Sequence, residues 1–182
     1  MKTKSVLLWA VFLFVVDQMF KVVIDRYFLD VQFDIIPPLF YFNPTFNHQY
    51  SWINGLFGLG MGFWAHVIIL GFVAIIYVLL YDFMKTISGN RKIVSIAFVF
   101  GFAAAMSSFI GTIVWNGCLD YIEWKRFAIF DLKDIYANTF VILCLWYCLR
   151  YSIQNRKSSL THKDIIRHYR ARFAVFRKKK ES

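Results

Sequence analysis

The chain is poor in acids, in paired cysteines and in clustered histidines, and each shortage excludes something. Its 182 residues hold 11 Asp and Glu against 21 Lys and Arg, a formal charge of +10. The three cysteines, Cys118, Cys144 and Cys148, make no disulfide framework, and Cys144 and Cys148 fall inside an apolar run where they read as packing. The four histidines are scattered and no zinc-type spacing occurs, so neither a metal nor a cofactor is expected. No internal repeat is visible, which argues against a transporter working by alternating access. The first apolar run lacks a small-residue cleavage site after its core and contains Asp17 and Lys21. It therefore reads as a retained helix and not as a cleaved secretory leader.

What the sequence holds in excess is apolar surface. Hydrophobic residues make up 59% of the chain and aromatics 20%, where a soluble domain would be about 45–50% apolar. A bilayer core about 30 Å thick needs about 20 apolar residues in a helix. Four segments qualify: Ser5–Ile24, Phe63–Phe83, Ile93–Trp115 and Ile135–Tyr151. The expected fold is an all-α integral membrane protein with four transmembrane helices (residues 1–151) and a small extracytoplasmic surface region. A basic cytoplasmic tail (152–182) follows.

Basic residues in short connections orient such a bundle. Lys2 and Lys4 precede the first helix, Lys85, Arg91 and Lys92 separate the second and third, and the basic tail follows the fourth. All three places fall on one side, which predicts cytoplasmic N- and C-termini. The loops Asp25–Gly62 and Asn116–Asp134 then face outward. In the first, Val31, Phe33 and Ile35 alternate ahead of Pro37, Pro38 and Pro44, which predicts short surface strands. In the tail, Ile165, Ile166, Tyr169, Phe173 and Phe176 recur at helical spacing among basic residues. That pattern fits an amphipathic helix on an anionic membrane surface, or equally a solvated tail. Membrane lipid is the expected partner, and nucleic acid is not.

Ionisable groups in a membrane segment are costly and mark candidate sites. Asp17 and Lys21 stand four apart on one helical face, where they can pair. Asp120 lies just beyond the third helix, and Asp131 and Asp134 lie at the start of the fourth. Two carboxylates at facing helix ends about 3 Å apart can share a proton. The ionised one can then activate water, while the protonated one polarises a carbonyl. Acids beside an outer loop are also commonly just solvated.

The motifs around these residues resemble those of the lipoprotein signal peptidases (signal peptidase II). Asp17-Gln18-Met19-Phe20-Lys21 matches the family's D-Q-x-x-K, and Asn47 falls where its N-x-G-x-x-F begins. Cys118-Leu119-Asp120-Tyr121 looks like V-V-D-[FY], and Phe127 through Asp134 looks like F-x-x-F-N-x-A-D. A shifted alignment that put Asn138 in the place of Asp134 would break the match at Phe127 and Phe130. The resemblance implies an aspartyl endopeptidase of the bacterial cytoplasmic (inner) membrane with its active site near the outer face. It would cut lipid-modified prolipoproteins before the diacylglyceryl-cysteine. Asp120 and Asp134 would be catalytic, with Asp17, Lys21, Asn47, Asp131 and Ser108 supporting or binding substrate. Trp52 and Trp124 would hold acyl chains. The family's G-N-x-x-D-R is replaced by Ser107-Ser108-Phe109-Ile110-Gly111-Thr112, and Gln49 and Trp52 replace its Gly and Phe. Asp131 and Lys133 stand where the family has Asn and Ala, which predicts a local pair of these two beside the catalytic acids. The other reading is a non-catalytic membrane protein on the same scaffold that binds lipoproteins or lipids.

Overall fold

The computed structural model describes residues 2–50, 52–87, 91–115, 117–125 and 127–154, together with 166, 167, 169 and 170; the side chains at 52, 53, 56, 87 and 154 are outside the description. Four long helices form: α1 (Thr3–Tyr27), α3 (Phe63–Ile87), α4 (Arg91–Val114) and α5 (Leu132–Gln154). At 1.5 Å per residue each reaches about 35 Å, enough to cross a bilayer. A short helix, α2 (Trp52–Phe57), precedes α3. Each predicted span is present, and each helix runs a few residues past at least one predicted end. The fourth begins at Leu132 and not at Ile135, which brings Asp134 into its first turn.

The helix α4 is central and packs against α1, α3 and α5. Half of its apolar stretch is buried, against 6% for α3, whose sides are left for lipid. Small residues let this happen, because backbones approach closely where side chains are short. Gly101 is the clearest case: a Cβ there would lie 2.9 Å from the Phe140 ring of α5. Around that crossing, Val6, Tyr81, Met84, Val94, Phe98, Phe140 and Tyr147 form the largest core. The rings of Tyr81, Phe98 and Phe140 meet with centroids 5.1 Å apart at both contacts of Phe98. This aromatic core fills the end of the bundle that holds the chain's N-terminus.

The opposite end is closed by an antiparallel sheet of β1 (Phe33–Ile36), β2 (Phe40–Asn47), β3 (Cys118–Trp124) and β4 (Ala128–Phe130), paired in that order. The strands predicted in the first outer loop are β1 and β2. The second outer loop, for which the sequence predicts no strand, supplies β3 and β4. Its alternation is hidden because both faces of β3 are covered. Leu119 and Tyr121 pack on Ile24 at the end of α1, while Cys118 and Asp120 point the other way and line a cavity. In the register, Thr45 faces Asp120 and Asn47 faces Cys118. The ladder is irregular between Phe42 and Thr45, where Pro44 has no N–H to donate.

Most of the tail, including Ile165, Phe173 and Phe176, lies outside the described residues, as does the side chain of Trp52. Ile166, Arg167, Tyr169 and Arg170 are helical, and the Tyr169 hydroxyl donates to the Leu79 carbonyl of α3.

Candidate active site

The start of α5 organises the site. The Asp134 N–H donates to Asp131 Oδ1 at 3.2 Å, and the Asp131 N–H donates to Asp134 Oδ2 at 3.2 Å. This reciprocal pair is a capping box, which satisfies two N–H groups at the helix start and fixes both carboxylates. Asp131 is fully buried. Its Oδ2 lies 2.7 Å from Lys21 Nζ and 3.0 Å from Lys133 Nζ. Lys21 in turn pairs with Asp17 at 3.1 Å. The ion pair predicted on α1 therefore exists, and it also ties α1 to the start of α5.

Asp120 is presented by β3. Asn47 Nδ2 donates to Asp120 Oδ2 at 3.4 Å, so the structure brings these two predicted site residues together. Gly117 permits this closeness, since a Cβ there would lie 2.9 Å from the Asn47 carbonyl oxygen. The predicted pair of Asp131 and Lys133 forms, but Lys133 does more. Its Nζ lies 3.4 Å from Asp120 Oδ1 and 3.4 Å from Asp134 Oδ2. An ammonium thus bridges the two candidate catalytic carboxylates, where the sequence suggested a directly shared proton. Spacing alone could not reveal this, because it depends on a strand in the second outer loop.

Electrostatics follow from burial and these neighbours. Burial pushes the Asp120 carboxyl above the usual carboxylate range, opposed by Lys133 and assisted by Asp131. Burial alone would raise Asp131 too, but Lys133 and Lys21 outweigh it and hold that carboxyl below the usual range. Burial pushes the Cys118 thiol up to about 12, so it stays protonated. Cys118, Asp120 and Asp131 could together offer metal ligands, their donor atoms lying within 4.8 Å of one another. The Lys133 ammonium competes for that place, being paired to both carboxylates.

Two hollows meet at Asp120. A half-open cavity of about 680 Å³ lies toward the helices, walled by His66, Ile69 and Leu70 of α3, Ser108 of α4, and Ile135 and Asn138 of α5. Lys133, Asp134 and Trp124 also line it, and its surface is mostly apolar. A groove of about 560 Å³ lies over the sheet, lined by Asn43, Thr45, His48, Gln49 and Glu123. Asn47, Asp120 and the segment Phe127–Ile129 border both. Of the hydroxyls that replace the G-N-x-x-D-R motif, Ser108 reaches the cavity. Ser107 and Thr112 are buried in the bundle.

Three contributors went unnoticed in the sequence. Buried Asn54 donates to the carbonyls of Gln49 and Met61 at 2.9 and 3.0 Å and accepts from the Met61 N–H at 3.0 Å. It folds the loop that brings Tyr50 and Met61 to the cavity. Gln18 accepts from Trp115 Nε1 at 3.1 Å and donates to Asp17 at 2.9 Å, locking α1 to the end of α4. His66 lines the cavity from α3. Gln18 belongs to the D-Q-x-x-K motif and could have been found there; Asn54 and His66 carry no such signal.

Comparison with known proteins agrees with the fold. Two solved structures, both described as "Bacterial membrane enzyme structure by the in meso method", share the fold. The first, at 2.3 Å resolution, superposes with a TM-score of 0.64 at 19% identity, covering 87% of this chain and 96% of its own. The second, at 1.9 Å, gives 0.62 at 21% identity, covering 79% and 92%. Comparison with curated protein sequences finds no significant match. The profile of the family described as signal peptidase (SPase) II matches residues 9–150. The chain, with its membrane-spanning helices and its protease-family signature, belongs to the signal peptidase II family.

Proposed function

We propose that this protein is an aspartyl endopeptidase of the bacterial cytoplasmic membrane that cuts lipid-modified prolipoproteins before the diacylglyceryl-cysteine. The observation that carries this reading is that Asp120 and Asp134 both stand at the wall of a mostly apolar cavity, with a second groove over the sheet also bordered by Asp120. An apolar cavity suits acyl chains and an apolar signal helix; the groove edged by Asn43, Thr45, His48 and Gln49 offers hydrogen-bonding groups to the peptide beyond the lipid. The charge asymmetry supports cytoplasmic termini and a site at the outer face. Trp124 lies where an acyl chain would pass.

One of the two carboxylates takes a proton from water as the water oxygen attacks the scissile carbonyl carbon. The same proton then goes to the departing amine. Acid and base roles are left to the pair as a unit. Asn47 steadies Asp120 or meets the substrate backbone. Asp17, Lys21 and Asp131 hold α1 against the start of α5, and Ser108 contacts bound substrate.

The test is hydrolysis of a lipid-modified prolipoprotein by purified protein, beside Asp120→Asn and Asp134→Asn. Each substitution is expected to lower the rate by ~10²–10⁴-fold. Tight substrate binding without hydrolysis at any pH from about 5 to 9 would instead establish a non-catalytic binder on this scaffold.

A further inference from the structure

Lys133 offers three ammonium hydrogens, and three carboxylates lie against them. The contact to Asp131 is 3.0 Å, while those to Asp120 and Asp134 are both 3.4 Å. Charge-assisted contacts of this kind close to about 2.7–2.9 Å when well formed, as Lys21 and Asp131 do at 2.7 Å. Lys133 is therefore anchored on Asp131 and held loosely by the two acids of the cavity. Its side chain lines that cavity. A carbonyl oxygen arriving at Asp120 and Asp134 can replace one of the long contacts without breaking the short one.

The surrounding charges favour this use. Asp120 and Cys118 face Lys133 from β3, Asp131 and Asp134 from the start of α5. Lys21 stands behind Asp131 from α1, with Asp17 on its far side. Tyr50 and His66 also line the cavity. Two carboxylates sharing one site cannot both ionise without a compensating charge. The four carboxylates of the cluster outnumber its two ammonium groups, so Lys133 offsets that repulsion in part, and it supplies the cavity with a donor that needs no retained proton.

We propose that Lys133 is a catalytic electrophile of this peptidase, its ammonium binding the scissile carbonyl oxygen in place of a protonated aspartate. The proposal rests on the endopeptidase reading. As the water oxygen bonds to the carbonyl carbon, one carboxylate takes the water proton and the carbonyl π pair moves onto oxygen. The resulting negative charge faces Nζ. On collapse the C–N bond breaks, its electron pair leaves with nitrogen, and that nitrogen takes the proton from the carboxyl group. Lys133 stays an ammonium throughout, and the products are a carboxylate and an amine.

The experiment is a pH–rate profile of the unsubstituted protein, of Lys133→Met and of Lys133→Arg. With a permanent cation as electrophile only the base must ionise, so the unsubstituted rate rises on the acid side and stays level from about pH 7 to 9. Lys133→Met is expected to lose ~10²–10³-fold, the size of losing one oxyanion donor. Its residual activity should fall on the alkaline side, as the two acids return to sharing a proton. Lys133→Arg should recover part of the rate and the level profile. An alkaline fall in the unsubstituted protein, or an unchanged rate and profile in Lys133→Met, overturns the role of Lys133 while leaving the peptidase reading intact. If Lys133→Met does not fold, the unsubstituted profile decides alone. Absence of cleavage by the unsubstituted protein overturns both.

Discussion

Asp131 receives both lysines on one oxygen while its other oxygen caps a helix. Removing Asp131 takes the shortest contact from each lysine, and breaking a buried pair costs up to about 3–5 kcal/mol. Asp131→Asn, although it restores the family's residue, is therefore expected to lose about that much, read as a lowered melting temperature in detergent. Asp131→Asn combined with Lys133→Ala should be less damaging than the sum of the two, by about 0.5–3 kcal/mol. The pH dependence has a definite sign. Asp131 is held low, so its contribution is present above the ordinary aspartate value of about 4 and is lost as pH falls through its lower folded value. Asp120 is raised by burial, so its ionisation costs stability above the ordinary value and acidification removes that cost. Melting temperature followed from about pH 7 to 3 should show a smaller acid decline in Asp131→Asn than in the unsubstituted protein.

At the scale of elements, the four spans could be read from hydropathy because a bilayer imposes length and apolarity on any helix that crosses it. The sheet could be read only in part. In β1 the alternation of Phe33 and Ile35 is visible, since that edge strand is exposed along its length. In β3 it is not, because Leu119 and Tyr121 face protein while Cys118 and Asp120 face the cavity, and polar and apolar residues no longer mark outside and inside. The motifs identified Asp120 and Asp134, but the bridge through Lys133 depends on β3 lying beside the start of α5. Helix packing gives its own prediction. Gly101→Val would drive methyls into the Phe140 ring and should destabilise by about 1–3 kcal/mol. Loss of the Asn54 side chain leaves buried backbone groups of the 49–61 loop unpaired, which costs about 1–3 kcal/mol. Asn54→Ala should also raise KM more than it lowers kcat, because the loop shapes the cavity and touches neither acid.

The whole molecule is polarised along its helices, with an aromatic core at one end and a charged site under a sheet at the other. The expected orientation can be checked in cells. In a chain with Cys118, Cys144 and Cys148 replaced by serine, a cysteine at Thr45 should react with a membrane-impermeant maleimide added outside, and one at Thr3 should not. The reverse pattern would invert the topology. The ion pairs at the sheet end join α1 to the start of α5, and they bear on how the chain is made. Lys21 is synthesised with α1, while Asp131 follows only after the helices α2, α3 and α4. Until then Asp17, one turn away on the same helix, is the counter-charge that lets Lys21 wait in the bilayer. A chain halted before Asp131 holds Lys21 by Asp17 alone, so the pair that fastens α1 to the start of α5 can close only once the last span is being made.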